Sequence, residues 1–437
     1  MGGFLKSLGR VSELRRKFEA LIAAARSRVP GARAGIPEVP SRLREVKAFG
    51  SNPGGLRQFD YAPERMATAP PLVVVLHGCG QSAGEFDRGT GWTRLADDHG
   101  FVVVFPQQQP SNNPKNCFSW FVPGDIKRDQ GEAHSIHQMV EHAIATYGAD
   151  RGRVFVTGLS AGGAMASVML ATYPDVYAGG AIIAGLPYGC AGSVQEALEA
   201  MFSEQITAAH DLGNRVRAAS GHRGPWPRIS VWHGSADPIV KPSNAEQIIR
   251  QWANLHGLAG GATRTEKIGG HTRREWTDAD GTTVIEAFSI AGMAHGVPID
   301  ASLQAQGYGA TGPFFLDAGL SSTHHIARSW GLLEGRTATQ VAEADLASLP
   351  ERLRADERAL DVAAKDSGDS SETAEPARPD AKKHARPSLD PNAVIASAFK
   401  AAGLPVPELP KGSPGTSPKV TPGPIIEAAL KAAGVKP

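Results

Sequence analysis

Apolar residues in the middle of the chain come in short, unbroken runs separated by longer amphipathic stretches. "PLVVVLHG" (71–78), "FVVVFPQQ" (101–108), "RVFVTG" (153–158), "AGGAIIAG" (178–185), "RISVWHG" (228–234) and "TVIEAFSI" (283–290) are continuous rather than alternating. Continuity predicts strands buried on both faces, as in a parallel sheet. Between them, residues 86–99, 133–147, 161–173 and 243–256 repeat apolar positions at helical spacing. The alternation predicts an α/β domain over 45–335, with a mostly parallel central sheet flanked by helices. Residues 191–227 are too long for a simple crossover and are expected to cover the functional site.

The two ends read differently. Residues 1–44 comprise a basic amphipathic helix and a linker marked by Pro30, Pro37 and Pro40. The helix carries Leu5, Leu8, Val11, Leu14, Phe18, Leu21 and Ile22 at three- and four-residue steps. Two readings stand side by side: it packs on its own domain, or it lies on an apolar surface. Residues 336–437 form a tail expected to be mostly disordered, with "DSGDSSETAEPARPDAKKHARPSLDP" (366–391) almost devoid of large apolar side chains. Within it, 391–405 and 422–437 repeat a proline start, an apolar stripe and Lys-Ala-Ala-Gly, with Gly403 and Gly434 as C-caps. They read as two docking segments or as degenerate tail sequence.

Composition narrows the class. Among 437 residues, 45 Lys+Arg oppose 44 Asp+Glu, so no global field favours nucleic acid or an acidic partner. No apolar run reaches the roughly 18 residues of a membrane span. The N-terminus carries charges throughout and does not read as a secretory signal, and Lys6 breaks the myristoylation pattern. Cys79, Cys117 and Cys190 are too few for a disulfide scaffold and lack metal-site spacing. The expectation is a cytoplasmic protein needing no metal or cofactor.

The chemistry centres on "VFVTGLSAGGAMA", in which Gly158 and Gly162 flank Ser160 at G-x-S-x-G spacing between a strand and a helix. Such a turn exposes a strained serine as a nucleophile, and its partners follow in the order acid, then histidine. Asp237 follows the strand ending at 234, and His295 lies in a Gly-flanked loop after the strand ending at 290. Both sit at the strand ends where sites of this architecture gather. His233 is a rival base but lies in its strand's end. His271, His324 and His325 lack a preceding buried strand, and Asp175 follows a helix. The Ala161 N–H and, from "LHGCGQSAGEF", the Cys79 N–H are the expected oxyanion donors. A catalytic thiol at Cys79 would have no task beside the serine motif.

The blocks "LHGCGQSAGEFDRGTGWTRLADDHGFVVVFPQQ", "NCFSWF", "GEAHSI" and "VFVTGLSAGGAMASVMLATYPDVYAGGAIIAGLPYGCA" occur in order. Together they resemble the catalytic domain of polyhydroxybutyrate depolymerase family esterases. The resemblance implies an α/β-hydrolase fold and a Ser-Asp-His triad matching Ser160, Asp237 and His295. It also implies a serine esterase acting on poly(3-hydroxybutyrate) or its oligomers through an acyl-enzyme. Relatives that cleave feruloyl or acetylxylan esters give a second reading; a granule-docking protein with a vestigial hydrolase domain gives a third. In secreted members, cysteines like Cys79 and Cys117 are commonly paired; whether they pair here stays open. Secreted depolymerases carry a Thr/Ser-rich or fibronectin-like linker and a compact substrate-binding domain, which the charged Pro/Ala/Ser tail replaces here. That departure favours a granule-associated enzyme, its tail meeting a granule surface or granule-coating protein, over the extracellular alternative. Phe118, Trp120 and Phe121, with Tyr188, offer apolar faces for an aliphatic ester. Trp120 is the preferred contact, with Phe118 and Tyr188 beside it.

Overall fold

The computed structural model describes residues 2–27, 42–204 and 206–333. The expected tail, its segments 391–405 and 422–437, and the prolines of the linker lie outside the described residues. In chain order the elements begin with α1 (Gly2–Ser27), β1 (Arg44–Val46), β2 (Arg57–Tyr61) and β3 (Leu72–Leu76). Next come α2 (Ala83–Thr90), α3 (Trp92–His99), β4 (Val102–Gln107), α4 (Gly131–Tyr147), β5 (Val154–Leu159) and α5 (Ala161–Thr172). After β6 (Gly179–Ile183), α6 (Val194–Phe202) and α7 (Ala209–Ser220) lie β7 (Arg228–Gly234) and α8 (Ser243–Leu255). The series closes with β8 (Arg264–Ile268), β9 (His271–Thr277), β10 (Thr283–Ile290), β11 (Val297–Ile299), β12 (Phe315–Asp317) and α9 (Ser322–Ser329).

Ten strands form one sheet in the order β1-β2-β4-β3-β5-β6-β7-β10-β9-β8. The six central strands, β4 to β10 in that order, run parallel, and antiparallel pairs extend both sides. All six apolar runs become these central strands. β3 and β5 are buried at every position, which is why their sequences do not alternate. The chain passes from β3 to β4 on one side and returns to β5 on the other, so the sheet order reverses at β3. The crevice at that reversal opens beyond the strands' carboxyl ends.

Several expectations need correction. The helix expected over 86–99 is two, because Gly91 stands at φ 73° and a side chain there would collide with the backbone of Tyr308 and Gly309. Ser82 and Glu85 cap α2 reciprocally. The 191–227 stretch holds α6, which packs on α1, and α7, which packs on α8 and α5 instead. Strands β8 and β9 escaped the apolar-run criterion because they are rich in charge, β8 largely exposed with Arg264, Glu266 and Lys267 along it and β9 half-buried. Arg273 anchors that hairpin by ion pairs to Glu266 (2.8 Å), Glu275 (2.7 Å) and Glu286 (3.0 Å). The opposite edge, β1, is three residues long and begins with exposed Arg44 and Glu45.

Candidate active site

The turn from β5 into α5 is built by its glycines. Ser160 adopts φ 57°, ψ −116°, a conformation that a non-glycine residue holds only when its surroundings impose it. A Cβ on Gly158 would overlap the Gly162 carbonyl, and one on Gly162 would overlap the carbonyls of Leu76 and His77. The missing side chains let β5, α5 and the end of β3 approach to backbone contact. Ser160 N–H donates to Ile183 O at 2.9 Å, fixing the elbow to β6.

Asp237 and His295 come together as the sequence order anticipates. The loop after β10 lies against the loop after β7, because Gly234 leaves space for the carbonyls of Met293 and Ala294. Ser235 N–H to Ile290 O (2.9 Å) and Ala236 N–H to Met293 O (3.0 Å) fasten the two loops. His295 Nδ1 then stands 2.7 Å from Asp237 Oδ2. The amides of Ile239 (2.8 Å) and Val240 (3.0 Å) donate to Asp237 Oδ1. Burial alone would raise the Asp237 carboxyl, but the two histidines beside it, His295 foremost, hold it below the usual carboxylate range. Ser160 and His295 line one cleft with Cys79, Leu159 and Phe314. A Ser160–His295 hydrogen bond is not formed in this structure; such contacts often tighten only when a substrate is seated.

The second histidine is His233, which sequence reasoning ranked as a rival base. It is buried, with Nε2 2.9 Å from Val240 O and 3.3 Å from Asp237 Oδ2. A nitrogen bonded to a carbonyl must carry the proton, so Nε2–H also faces the carboxylate oxygen that His295 meets. His233 therefore supports the acid.

The donors for an oxyanion lie on rigid backbone. Ala161 is the first residue of α5, where the helix supplies no acceptor for its N–H. Cys79 N–H donates to no protein group among the described residues. Its loop is held by Gly78 N–H to Gln81 Oε1 (2.9 Å) and Gly80 N–H to Lys115 O (2.7 Å). A disulfide joins Cys79 to Cys117. Buried His77 accepts from Gln108 N–H at Nε2 (3.1 Å), so its Nδ1–H donates to Gly78 O (2.7 Å). Burial pushes this imidazole down to about 4, outweighing the Gly78 bond, and keeps it neutral.

The expected substrate contacts need correction. Phe118 is fully buried and its ring packs on His77 at 4.9 Å, supporting the oxyanion loop from within. Trp120 is buried edge-on to Phe121, and the Tyr188 hydroxyl donates to Ile126 O (3.2 Å) in the domain interior. Phe314 and Leu159 line the cleft in their place. Phe314 sits at φ 68° and presents its ring edge-on to His295 at 6.1 Å. Nothing in the sequence singled it out. Behind Trp120, buried Glu132 accepts from Ser119 N–H (2.8 Å) and Gln108 Nε2 (2.6 Å), tying the 117–121 loop to α4. Burial raises its carboxyl to about 7.

A serine on a strained elbow, a supported histidine in the same cleft and backbone donors beside them suit acyl transfer through a tetrahedral intermediate. Fold and constellation together define a carboxylic ester hydrolase of the α/β-hydrolase class. Within that class the chain belongs to the Esterase PHB depolymerase family, whose model matches residues 59–277. The match contains Ser160 and Asp237 and ends before His295. The chain is 44% identical over 292 residues to poly(3-hydroxyalkanoate) depolymerase C of Paucimonas lemoignei, covering 67% of this chain and 70% of that protein. It is 32% identical over 280 residues to feruloyl esterase B of Talaromyces stipitatus, covering 62% and 76%. Among solved structures, acetyl xylan esterase from Aspergillus awamori superposes with a TM-score of 0.55 at 28% identity, covering 61% of this chain and 98% of that one.

Proposed function

We propose that this chain hydrolyses poly(3-hydroxybutyrate) or its oligomers. Ser160 Oγ attacks the ester carbonyl while His295 Nε2 takes the hydroxyl proton. Asp237 keeps the Nδ1–H tautomer and balances the imidazolium. The tetrahedral oxygen receives the Cys79 and Ala161 N–H groups. His295 then protonates the departing hydroxyacyl alkoxide, and water attacks the acyl-enzyme by the same route. The carrying observation is the 2.7 Å His295–Asp237 bond in the cleft that Ser160 lines. The polyester assignment draws on the 44% identical depolymerase.

The test is initial rates on amorphous poly(3-hydroxybutyrate), soluble hydroxybutyrate oligomers and feruloylated xylan, with Ser160→Ala alongside. Faster turnover of the hydroxybutyrate esters, lost with Ser160→Ala, is expected. Preference for feruloyl or acetyl esters would favour the second reading, which the 32% identical feruloyl esterase supports. The Cys79–Cys117 bridge supports the extracellular alternative over a cytoplasmic location, because such bridges persist in oxidising compartments. Alkylation of the protein isolated under acid quench should leave these two cysteines unlabelled. For the tail, docking on a granule surface through 391–405 and 422–437 predicts that truncation after residue 340 lowers granule binding but spares soluble esters.

A further inference from the structure

The cleft beside Ser160 is already filled by this chain. α1 lays Val11, Leu14, Phe18, Leu21, Ile22 and Ala25 against the domain, and Ile22 lines the same cavity as Ser160 and His295. What remains open there is about 10 Å³, at the threshold for a single water molecule. An ester carbonyl must reach both Ser160 Oγ and the Cys79 N–H to react, and its flanking carbon chain needs far more room. Both cannot be present at once.

The helix also grips the loop that carries the oxyanion donor. Arg26 Nη2 donates to Gly80 O at 2.7 Å, one residue from Cys79. Glu19 lies 3.8 Å from Lys115, whose carbonyl receives the Gly80 N–H. Lys17 stands over the Phe202 ring of α6 at 4.9 Å. The ion pair is half-exposed, of a kind worth little. The apolar stripe itself is only partly buried, unlike the central strands. The apolar part of this docking, the stripe from Val11 to Ala25, is of a kind that an apolar competitor can replace.

We propose that α1 occupies the ester-binding groove in cis, with Ile22 standing where the substrate's apolar chain lies against Leu159 and Phe314. This rests on the esterase reading of Ser160. The helix yields the groove to an aliphatic polyester, whose surface in turn receives the stripe that α1 exposes. Substrate therefore meets only the fraction of molecules with α1 displaced. Apparent affinity is weakened by that fraction while turnover of bound substrate is untouched.

The test compares the full chain with full-length Ile22→Asp/Arg26→Ala on p-nitrophenyl butyrate, and measures the rate at which a fluorophosphonate labels Ser160. The double variant should show kcat/KM raised about fivefold or more through a lower KM, kcat little changed, and labelling accelerated by a similar factor. Rates within twofold of the unaltered chain, or lower ones, would overturn the proposal. A second measurement needs no substitution: hydrogen exchange of amides 9–27 should quicken once Ser160 carries a bulky phosphonate. Unchanged exchange there would overturn it equally. Ser160→Ala separates the two readings. If it abolishes turnover while α1 proves indifferent, only the groove assignment fails; if it retains turnover, the esterase reading fails first.

Discussion

Asp237→Asn is the most searching perturbation of the site. The carboxylate has four donors: His295 Nδ1 (2.7 Å) and His233 Nε2 (3.3 Å) on Oδ2, and two backbone amides on Oδ1. Asparagine keeps an oxygen for the amides but turns an NH₂ toward both histidines. His295 can then meet it only by presenting a bare Nδ1, which moves its proton to Nε2 and leaves nothing to accept from Ser160. Two charge-assisted hydrogen bonds at about 1.5–3 kcal/mol each amount to roughly 3–6 kcal/mol. At about 1.4 kcal/mol per tenfold, kcat should fall roughly 10²- to 10⁴-fold, with KM unchanged. Initial rates on p-nitrophenyl butyrate, with thermal unfolding as the control, make the measurement. A stability effect is expected too. A carboxyl held below its ordinary value of 3.8 adds stability that is complete above that pH and lost as pH falls through the folded value. The variant should therefore melt below the parent at pH 7, and the gap should narrow toward pH 3. Retention of kcat within tenfold, or a rise in KM alone, would refute the assignment of Asp237 as the acid of the triad.

His233→Leu should lower kcat about tenfold without changing KM, because it removes one of the two donors on Oδ2 and leaves His295 in place; a change in KM alone would make His233 a substrate contact. Gly162→Ala should destabilise the fold by about 1–3 kcal/mol and depress kcat, since the methyl meets backbone carbonyls that cannot yield. Gly124→Ala, with open space around it, is the neutral control in denaturant melts. Asp87 is buried and its carboxyl is raised by that burial from 3.8 to about 6, so the folded state loses stability as pH climbs through that window. Asp87→Asn preserves both bonds to Thr93 and should gain roughly 3 kcal/mol at most over the parent at pH 8, and nothing at pH 3, in urea titrations.

What the sequence revealed was what local pattern encodes. The six buried strands announce themselves by continuous apolar runs, and the elbow by glycines whose positions are fixed by backbone contact. Asp237 and His295 were legible because each follows a recognisable strand end. Phe118, Trp120 and Tyr188 were misread because an aromatic beside a functional loop looks the same whether it faces a groove or the interior. Phe314 carried no signal; it is a non-glycine residue at φ 68° in the irregular stretch between β11 and β12. Glu132 had one available clue, a carboxylate on the helix face that also carries Ala133, Ile136 and Met139. For α1 the stripe was plain and the partner was not, since periodicity says that a face is covered without saying by what. The structure sets it on its own domain.

The two borders of the sheet carry a consequence for life at high local density. An enzyme gathered onto a solid polymer meets its own copies far more often than it would in dilute solution. Open strand borders then invite one molecule to zip onto another. Here one border is a charged strand, β8, and the other is a three-residue stub. The strands bearing the triad, β5, β7 and β10, lie inside both borders. Molecules can crowd on a substrate face without their sheets fusing, and the charge that guards the β8 border is the same charge that, through Arg273 and Glu286, fastens the β8–β9 hairpin to β10.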